Sequence, residues 1–431
     1  VALVAPLGTI DLAYQLRLGG AIVVSEEIPR TDTFTFSVAG AAWVDQQWLA
    51  QVVFSRIGIW ADAAGLAVAG AALIAGSFGL ISLACQARGA SVRTSGVLAL
   101  LSFVVAAPML AVRPQLFGVA GVALALWVVR TNTRLVWLLP AIALALANLH
   151  GSFPLIVLIA GLAALGSPRR ARGWLVLTAT AAATIVTPFG AGVWSYVRDI
   201  TTDPVIRTQV TEWAAPSLTD AAGLLALASL VGMIVVGMRR RGRIGWIDVV
   251  WLVVFAVPAV ASQRAVVWWA LIAPTVVARW LAGPAEIGVG ATARAGRPGR
   301  LVAALAAVLV VLALPWWRGG PALEDAPPGV ADTLAVLPDG TRVLVYQPWA
   351  SWIEYRAPNT LTYVDSRIEL FPADVWSDYD AIASGDVGRL DLIGADAIAG
   401  EATWPPIAAL DGTAGWRTAY EGPDGIVLVR G

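Results

Sequence analysis

Long apolar runs, broken by short polar links, set the elements of this chain. Runs long enough to cross a bilayer, or nearly so, lie at about 63–86, 95–112, 115–130, 134–149, 152–167, 173–190, 221–238, 247–262, 265–282 and 301–317. With the apolar stub that opens the sequence, VALVAPLGTI, they predict about eleven transmembrane helices. As a helix the stub reaches about 15 Å, half of a ~30 Å hydrocarbon core. Either most of the first helix is expected upstream of Val1, or the stub is a processed end. No heptad, solenoid or blade repeat is visible.

The most polar part of the first three hundred residues is the stretch from Thr9 to Arg56. Within it Tyr14, Leu18 and Ile22 recur at helical spacing. Val44, Trp48, Leu49, Val52 and Val53 do the same, with Gln47, Gln51 and Ser55 on another face. Both segments suit helices lying in the membrane interface, apolar side down. Ile28-Pro29-Arg30-Thr31-Asp32 between them reads as a turn. Asp11 falls where the first span leaves the membrane. It fits a helix N-cap and a catalytic carboxylate equally well.

After Pro315-Trp316-Trp317 the pattern changes. Residues 318–431 hold seventeen acids against seven arginines and no spanning run. Short β-type stretches appear at Arg342–Tyr346 and Leu361–Asp365. A hairpin is expected from Trp416–Glu421 and Ile426–Arg430, turning at Pro423-Asp424-Gly425. A helical patch lies at Asp374–Ser384. The expected organisation is a transmembrane domain over 1–317, with a first outer loop at 9–56, followed by a small extracytoplasmic α/β domain over 318–431.

Composition agrees with a chain built for lipid: 58% of residues are hydrophobic, 13% are charged, and mean hydropathy is +0.74. All 29 basic residues are arginine, which reads as coding bias rather than mechanism. The single cysteine, Cys85, excludes an internal disulfide and a cysteine metal cluster.

The arginines are not spread evenly. Taken alternately, one set of loops holds fifteen arginines and only two acids, Asp248 and Glu286; the other holds seven arginines and ten acids. The first set is therefore cytoplasmic. An odd number of helices then places the C-terminal region outside. The chemically varied loops are all in the second set: Thr9–Arg56, Arg113-Pro114-Gln115, Asn148-Leu149-His150-Gly151, Phe189–Asp220 and Gln263-Arg264. Charges concentrate at span ends, which argues against a transporter or flippase, since those keep ionisable residues within their spans. There is no P-loop, Rossmann fingerprint, zinc pattern or catalytic triad.

Several short motifs carry a resemblance. D-x-x-Y-Q-L-x-x-G (Asp11, Tyr14, Gln15, Leu16, Gly19), I-P-x-T-D-x-F (Ile28 to Phe34) and W-V-x-x-x-W-L (Trp43 to Leu49) resemble GT-C superfamily membrane glycosyltransferases. The similarity is greatest to an uncharacterised bacterial multi-pass branch, and more distant to oligosaccharyltransferases and protein O-mannosyltransferases. R-P-Q-L-F (Arg113 to Phe117), N-L-H-G (Asn148 to Gly151), Trp349 to Ile353 and V-D-S-R (Val364 to Arg367) match the bacterial set as well. Together the motifs cover nearly the whole chain.

The resemblance implies inverting transfer of a sugar from a polyprenyl-phosphate donor to a glycan, lipid or protein acceptor of the cell envelope. It also implies a site at the outer face of a bacterial plasma membrane, among membrane lipid and with no nucleic acid. Asp11 would be the general base, or would orient the acceptor hydroxyl. The leaving phosphate needs a cation, for which arginine is suited by its fixed charge and bidentate geometry. Arg113, Arg264 and Arg17 are the candidates, and each also fits interfacial snorkelling. His150, with Asn148 beside it, would donate to phosphate or relay a proton, or simply end a helix. Asp32, in the second motif, joins these as a substrate-binding candidate. A divalent metal is the one cofactor the resemblance allows. Many relatives carry a second acid beside the first, whereas Leu12 and Ala13 follow Asp11 here. That departure keeps a second reading in view, a catalytically inactive GT-C-like protein acting in envelope assembly.

Overall fold

The computed structural model describes residues 11–131, 134–167, 169–282 and 326–431. The apolar stub and the run at 301–317 lie outside them. The described chain is mostly helical, with one small sheet near its C-terminus. It clusters into two compact units. One is drawn from Leu66–Val197 and the stretch from Val210. The other combines the stretch up to Gly65, Arg198–Gln209 and the C-terminal region to Gly431.

Twelve helices precede the C-terminal region among the described residues, short 3-10 turns aside. They are α1 (Leu12–Ser25), α2 (Trp48–Ala87), α3 (Val92–Ala106), α4 (Gln115–Thr131), α5 (Leu139–Leu149) and α6 (Phe153–Leu165). Then follow α7 (Arg170–Ala183), α8 (Gly192–Thr202), α9 (Pro204–Gln209), α10 (Ala221–Arg239), α11 (Trp246–Ala261) and α12 (Gln263–Leu281). Each predicted apolar run from 63–86 to 265–282 is occupied by one of these helices. Four stretches are long and apolar enough to cross a membrane: Trp48–Ala87, Val92–Met109, Ala221–Arg239 and Gln263–Leu281. Five further apolar helices are shorter.

In the first unit α12 is the central helix. Val267, Leu271, Ile272, Val276 and Ala278 are fully buried, because it packs against α3, α4, α10 and α11. Polar contacts connect the ends of these helices. Asp248, at the start of α11, pairs with Arg88 and Arg279, each at 3.4 Å. All three come from the arginine-rich set of loops. Arg113, Glu212 and Arg264, from three loops of the other set, also meet.

The second unit is built on a five-stranded sheet, β1 (Thr341–Val345), β2 (Thr360–Thr362), β3 (Ala397–Gly400), β4 (Trp416–Gly422) and β5 (Gly425–Arg430), in the order β2-β1-β3-β5-β4. The β2, β1 and β3 strands are parallel; β5 runs antiparallel to β3 and closes the expected hairpin with β4. Helices α13 (Pro328–Leu334) and α14 (Gln347–Arg356) precede and follow β1; α15 (Ala373–Ala383), α16 (Arg389–Ile393) and α17 (Pro405–Leu410) come later. Val343, Leu344 and Val345 are all buried, because separate apolar clusters cover the two faces of the sheet.

The polar loop, read above as part of the transmembrane region, folds with this C-terminal sheet. Phe36 N–H donates to Thr362 O (2.9 Å), and Thr362 N–H donates to Phe34 O (3.1 Å). The loop thereby adds a short strand-like segment beside β2 and covers that edge. Tyr14 and Leu18 pack with Phe34 and Trp43, so the apolar face of α1 is covered by protein rather than by lipid. The second expected surface helix runs on into the first long apolar helix as α2, with a break at Ala61 and Asp62, where Asp62 has φ 49°. Gly19 lies where α1 meets the start of α2. A Cβ there would stand 2.0 Å from the Gln51 carbonyl oxygen, so only glycine permits this approach.

Candidate functional site

Asp11 occupies the N-cap position of α1 and is half-buried. Its side chain makes no capping hydrogen bond, because its backbone (φ −78°, ψ −23°) is helical rather than extended. The capping role that the sequence allows is therefore not the one its carboxylate plays. Behind it α1 is buried on the polar side too. Gln15 Nε2 donates to Tyr14 Oη (2.7 Å) and to Gln47 Oε1 (3.2 Å). Gln51 Nε2 donates to Asp45 Oδ1 at 2.6 Å. Burial pushes the Asp45 carboxyl up to about 7 despite that bond.

Asp32 and Arg17 belong to an ionic cluster inside the second unit. Arg367, 1% exposed, donates from Nη2 to Asp32 Oδ1 at 2.6 Å and also holds Asp365. Asp32 Oδ2 accepts from Thr35 N–H (3.1 Å) and Thr35 Oγ1 (2.6 Å). The Arg367 guanidinium lies 4.9 Å from the Trp43 ring centre and 5.1 Å from that of Phe34; Arg17 lies 4.0 Å from Phe34. Glu354 accepts from Thr362 Oγ1 at 2.7 Å. Burial and the neighbouring Asp365 push its carboxyl well above the usual range, and Arg367 opposes this incompletely. With Glu354 protonated, two arginines face two carboxylates and the buried cluster is neutral. Asp32, proposed from sequence to touch substrate, is 2% exposed and already spans Arg367 and Thr35.

The first unit holds the other predicted residues. Arg113, just before α4, donates from Nη1 to Glu212 Oε1 and from Nε to Gln115 Oε1, both at 2.8 Å. Arg264, in the first turn of α12, places Nε 3.3 Å from Glu212 Oε2. Its guanidinium lies 5.4 Å from the Trp213 ring centre. The turn Thr211–Trp213 that carries Glu212 is tied to α12 by Ser262 Oγ, which donates to Glu212 O (3.1 Å), and by Gln263 N–H, which donates to Ala214 O (2.9 Å). Burial raises the Glu212 carboxyl, but the two arginines outweigh it and the net shift is downward.

His150 follows α5 and accepts at Nδ1 from the Ser152 N–H (3.1 Å), which leaves its proton on Nε2. Burial, then Arg264 and Arg113, lowers its pKa, so the ring is neutral. Gly118 of α4 approaches closely: a Cβ there would stand 2.9 Å from His150 Nδ1 and 2.4 Å from Ser152 Oγ. Asn148 donates from Nδ2 to Leu144 O (2.9 Å) and Val186 O (3.0 Å), tying α5 to the end of α7. Buried polar atoms without a hydrogen-bond partner gather in the same neighbourhood: Gln115 Nε2, Ser152 Oγ and Trp213 Nε1.

The predicted residues thus fall into two groups, Asp11, Arg17 and Asp32 in one unit and Arg113, Asn148, His150 and Arg264 in the other. Glu212, Glu354 and Arg367 join them from outside the predicted set. Arg367 stood in a recognised motif, V-D-S-R, but nothing in the sequence pointed to its partner. Glu212 stood in a loop marked as chemically varied. Among the described residues no group of three or more His, Cys, Asp or Glu side chains could hold a metal ion.

No family model matches the sequence, and no curated protein matches it either. Among solved structures the chain is similar to the archaeal oligosaccharyltransferase AglB from Archaeoglobus fulgidus, determined in complex with an inhibitory peptide and a dolichol-phosphate. The two share 12% identity at a TM-score of 0.51, over 99% of this chain and 71% of that one. At that identity the likeness concerns the fold alone.

Proposed function

We propose that this protein is a polytopic membrane glycosyltransferase of about eleven transmembrane helices. It moves a sugar from a polyprenyl-phosphate donor to a cell-envelope acceptor at the outer face of a bacterial plasma membrane. The observation that carries the reading is the pairing of Arg113 and Arg264 on one carboxylate among buried donors that lack partners. Such a set is suited to a phosphate. The fold likeness adds to it, since the similar structure was determined in complex with a dolichol-phosphate.

The chemistry is an inverting displacement. An acceptor oxygen attacks the anomeric carbon, and the bond from that carbon to the phosphate oxygen breaks. The polyprenyl phosphate leaves with the electron pair. Asp11 takes the acceptor's proton as general base. Going from phosphodiester to phosphomonoester adds negative charge to the leaving group. Arg113 and Arg264 balance it without change in their own protonation. His150 donates from Nε2 as a neutral group. Arg17 and Asp32 position the loop that carries Asp11, and Asn148 fixes the helix end that carries His150.

A second reading, a catalytically silent scaffold of envelope assembly, is favoured by one feature. Leu12 and Ala13, both buried, stand where many relatives have a second acid. Reconstituted protein supplied with labelled polyprenyl-phosphate sugars separates the two. Transfer by wild type, lost in Arg113→Gln and Arg264→Gln, supports the enzyme; absence of transfer from every donor supports the scaffold.

A further inference from the structure

Both predicted phosphate-binding arginines are engaged by one side chain. Glu212 presents one oxygen to Arg113 Nη1 at 2.8 Å and the other to Arg264 Nε at 3.3 Å. A phosphate between these guanidiniums would meet them in the same way. The fit to the carboxylate is incomplete: Glu212 Oε2 itself, Gln115 Nε2 beside Arg113, Trp213 Nε1 beneath Arg264 and Ser152 Oγ beside His150 are all buried without a hydrogen-bond partner. The carboxylate thus leaves one of its own oxygens and several neighbouring groups unsatisfied, whereas a phosphate presents its oxygens in more directions. The Glu212 side chain is 25% exposed, while its turn is fastened to the start of α12 by Ser262 Oγ on Glu212 O and Gln263 N–H on Ala214 O. The side chain can therefore swing out while the turn stays in place.

We infer that Glu212 is an internal stand-in for the donor's phosphate, occupying the seat between Arg113 and Arg264 until a phosphate-bearing ligand displaces it. The inference rests on the reading of those arginines as the phosphate clamp. Charge gives the exchange a purpose. With Glu212 in place the cluster of Arg113, Arg264 and neutral His150 carries a net charge of about one, and with Glu212 displaced about two. Glu212 in the seat thus avoids two unpaired cations, and its displacement leaves a charge that matches a departing phosphomonoester of about −1.5 to −2. Glu212 makes the ligand compete for its site, which favours groups with phosphate-like charge over neutral lipids.

The test compares the full chain and Glu212→Gln in nanodiscs of zwitterionic lipid, with three probes: a polyprenyl monophosphate, the matching polyprenol and inorganic phosphate. Removing the competing carboxylate should tighten binding of the polyprenyl monophosphate by roughly tenfold, the scale of one charge-assisted hydrogen bond. Polyprenol binding should be unchanged. Glu212→Ser should shift affinity in the same direction, and in both variants the phosphate lipid should raise the melting temperature more than in wild type. Equal tightening toward inorganic phosphate would support the exchange and assign the seat to free phosphate. Unchanged or weaker binding in both Glu212 variants, with Arg113→Gln still weakening it, would overturn the inference and leave the clamp standing. If Arg113→Gln and Arg264→Gln both bind like wild type, the clamp and the inference fall together.

Discussion

Arg367 donates to Asp32 at 2.6 Å across 335 positions of sequence. It joins the loop that carries Asp11 to the C-terminal sheet through an ion pair with almost no access to solvent. Breaking one side of such a pair leaves an uncompensated buried charge. Arg367→Met is therefore expected to destabilise the second unit by about 3–5 kcal/mol. Asp32→Asn, which keeps the shape and leaves Asp365 on the arginine, should cost less. Glu354→Gln, which imitates a protonated carboxyl, should be nearly neutral, whereas Glu354→Ala should not. Denaturant melts of the purified variants give this order; a large loss in Glu354→Gln would mean that the ionised carboxylate is needed.

Asp45 predicts a pH dependence of stability. Its pKa rises from 3.8 to about 7 on folding, so the folded state holds this proton more tightly than the unfolded one. The contribution is complete below about pH 4 and is lost as pH rises through about 7. Asp45→Asn should flatten that slope and gain on wild type above pH 7, by on the order of 4 kcal/mol at most. Melting temperatures measured from pH 5 to 8.5 check it. Parallel curves for the two proteins would show that Asp45 is ionised throughout.

Gly19 is expected to tolerate no side chain. Alanine there would normally favour a helix by about 1 kcal/mol. Here its Cβ would meet the backbone of α2 at Gln51. Gly19→Ala should therefore destabilise by about 2 kcal/mol or more through overpacking, while Gly20→Ala, whose nearest neighbour is Ser55 Oγ at 3.6 Å, should be close to neutral. Limited proteolysis of the loop between α1 and α2 reads the difference.

Much of the architecture was legible in the sequence because apolar runs and turn chemistry are local signals. The runs from 63–86 to 265–282 mark helices, and Pro423-Asp424-Gly425 marks the hairpin. The alternation of arginine in the loops matched the way Arg88, Asp248 and Arg279 meet in one cluster and Arg113, Glu212 and Arg264 in another. What escaped depends on distant pairing. The apolar faces of α1 read as lipid-facing because periodicity cannot distinguish lipid from a partner such as Phe34 or Trp43. The partner of Asp32 could not be read, because Arg367 lies near the other end of the chain. Glu212 gave no signal of its own, since one acid in a long loop is ordinary until two arginines are found on it.

The central claim, sugar transfer with Asp11 as base, is tested most directly by single-turnover transfer from a labelled polyprenyl-phosphate sugar in proteoliposomes. Wild type is compared with Asp11→Asn, which keeps the size and hydrogen-bonding capacity of the side chain but cannot take the proton. The account predicts transfer by wild type and a fall of roughly 10²–10⁴-fold in the variant, the usual scale of general-base catalysis, with donor binding unchanged. Transfer by Asp11→Asn at the wild-type rate would contradict it.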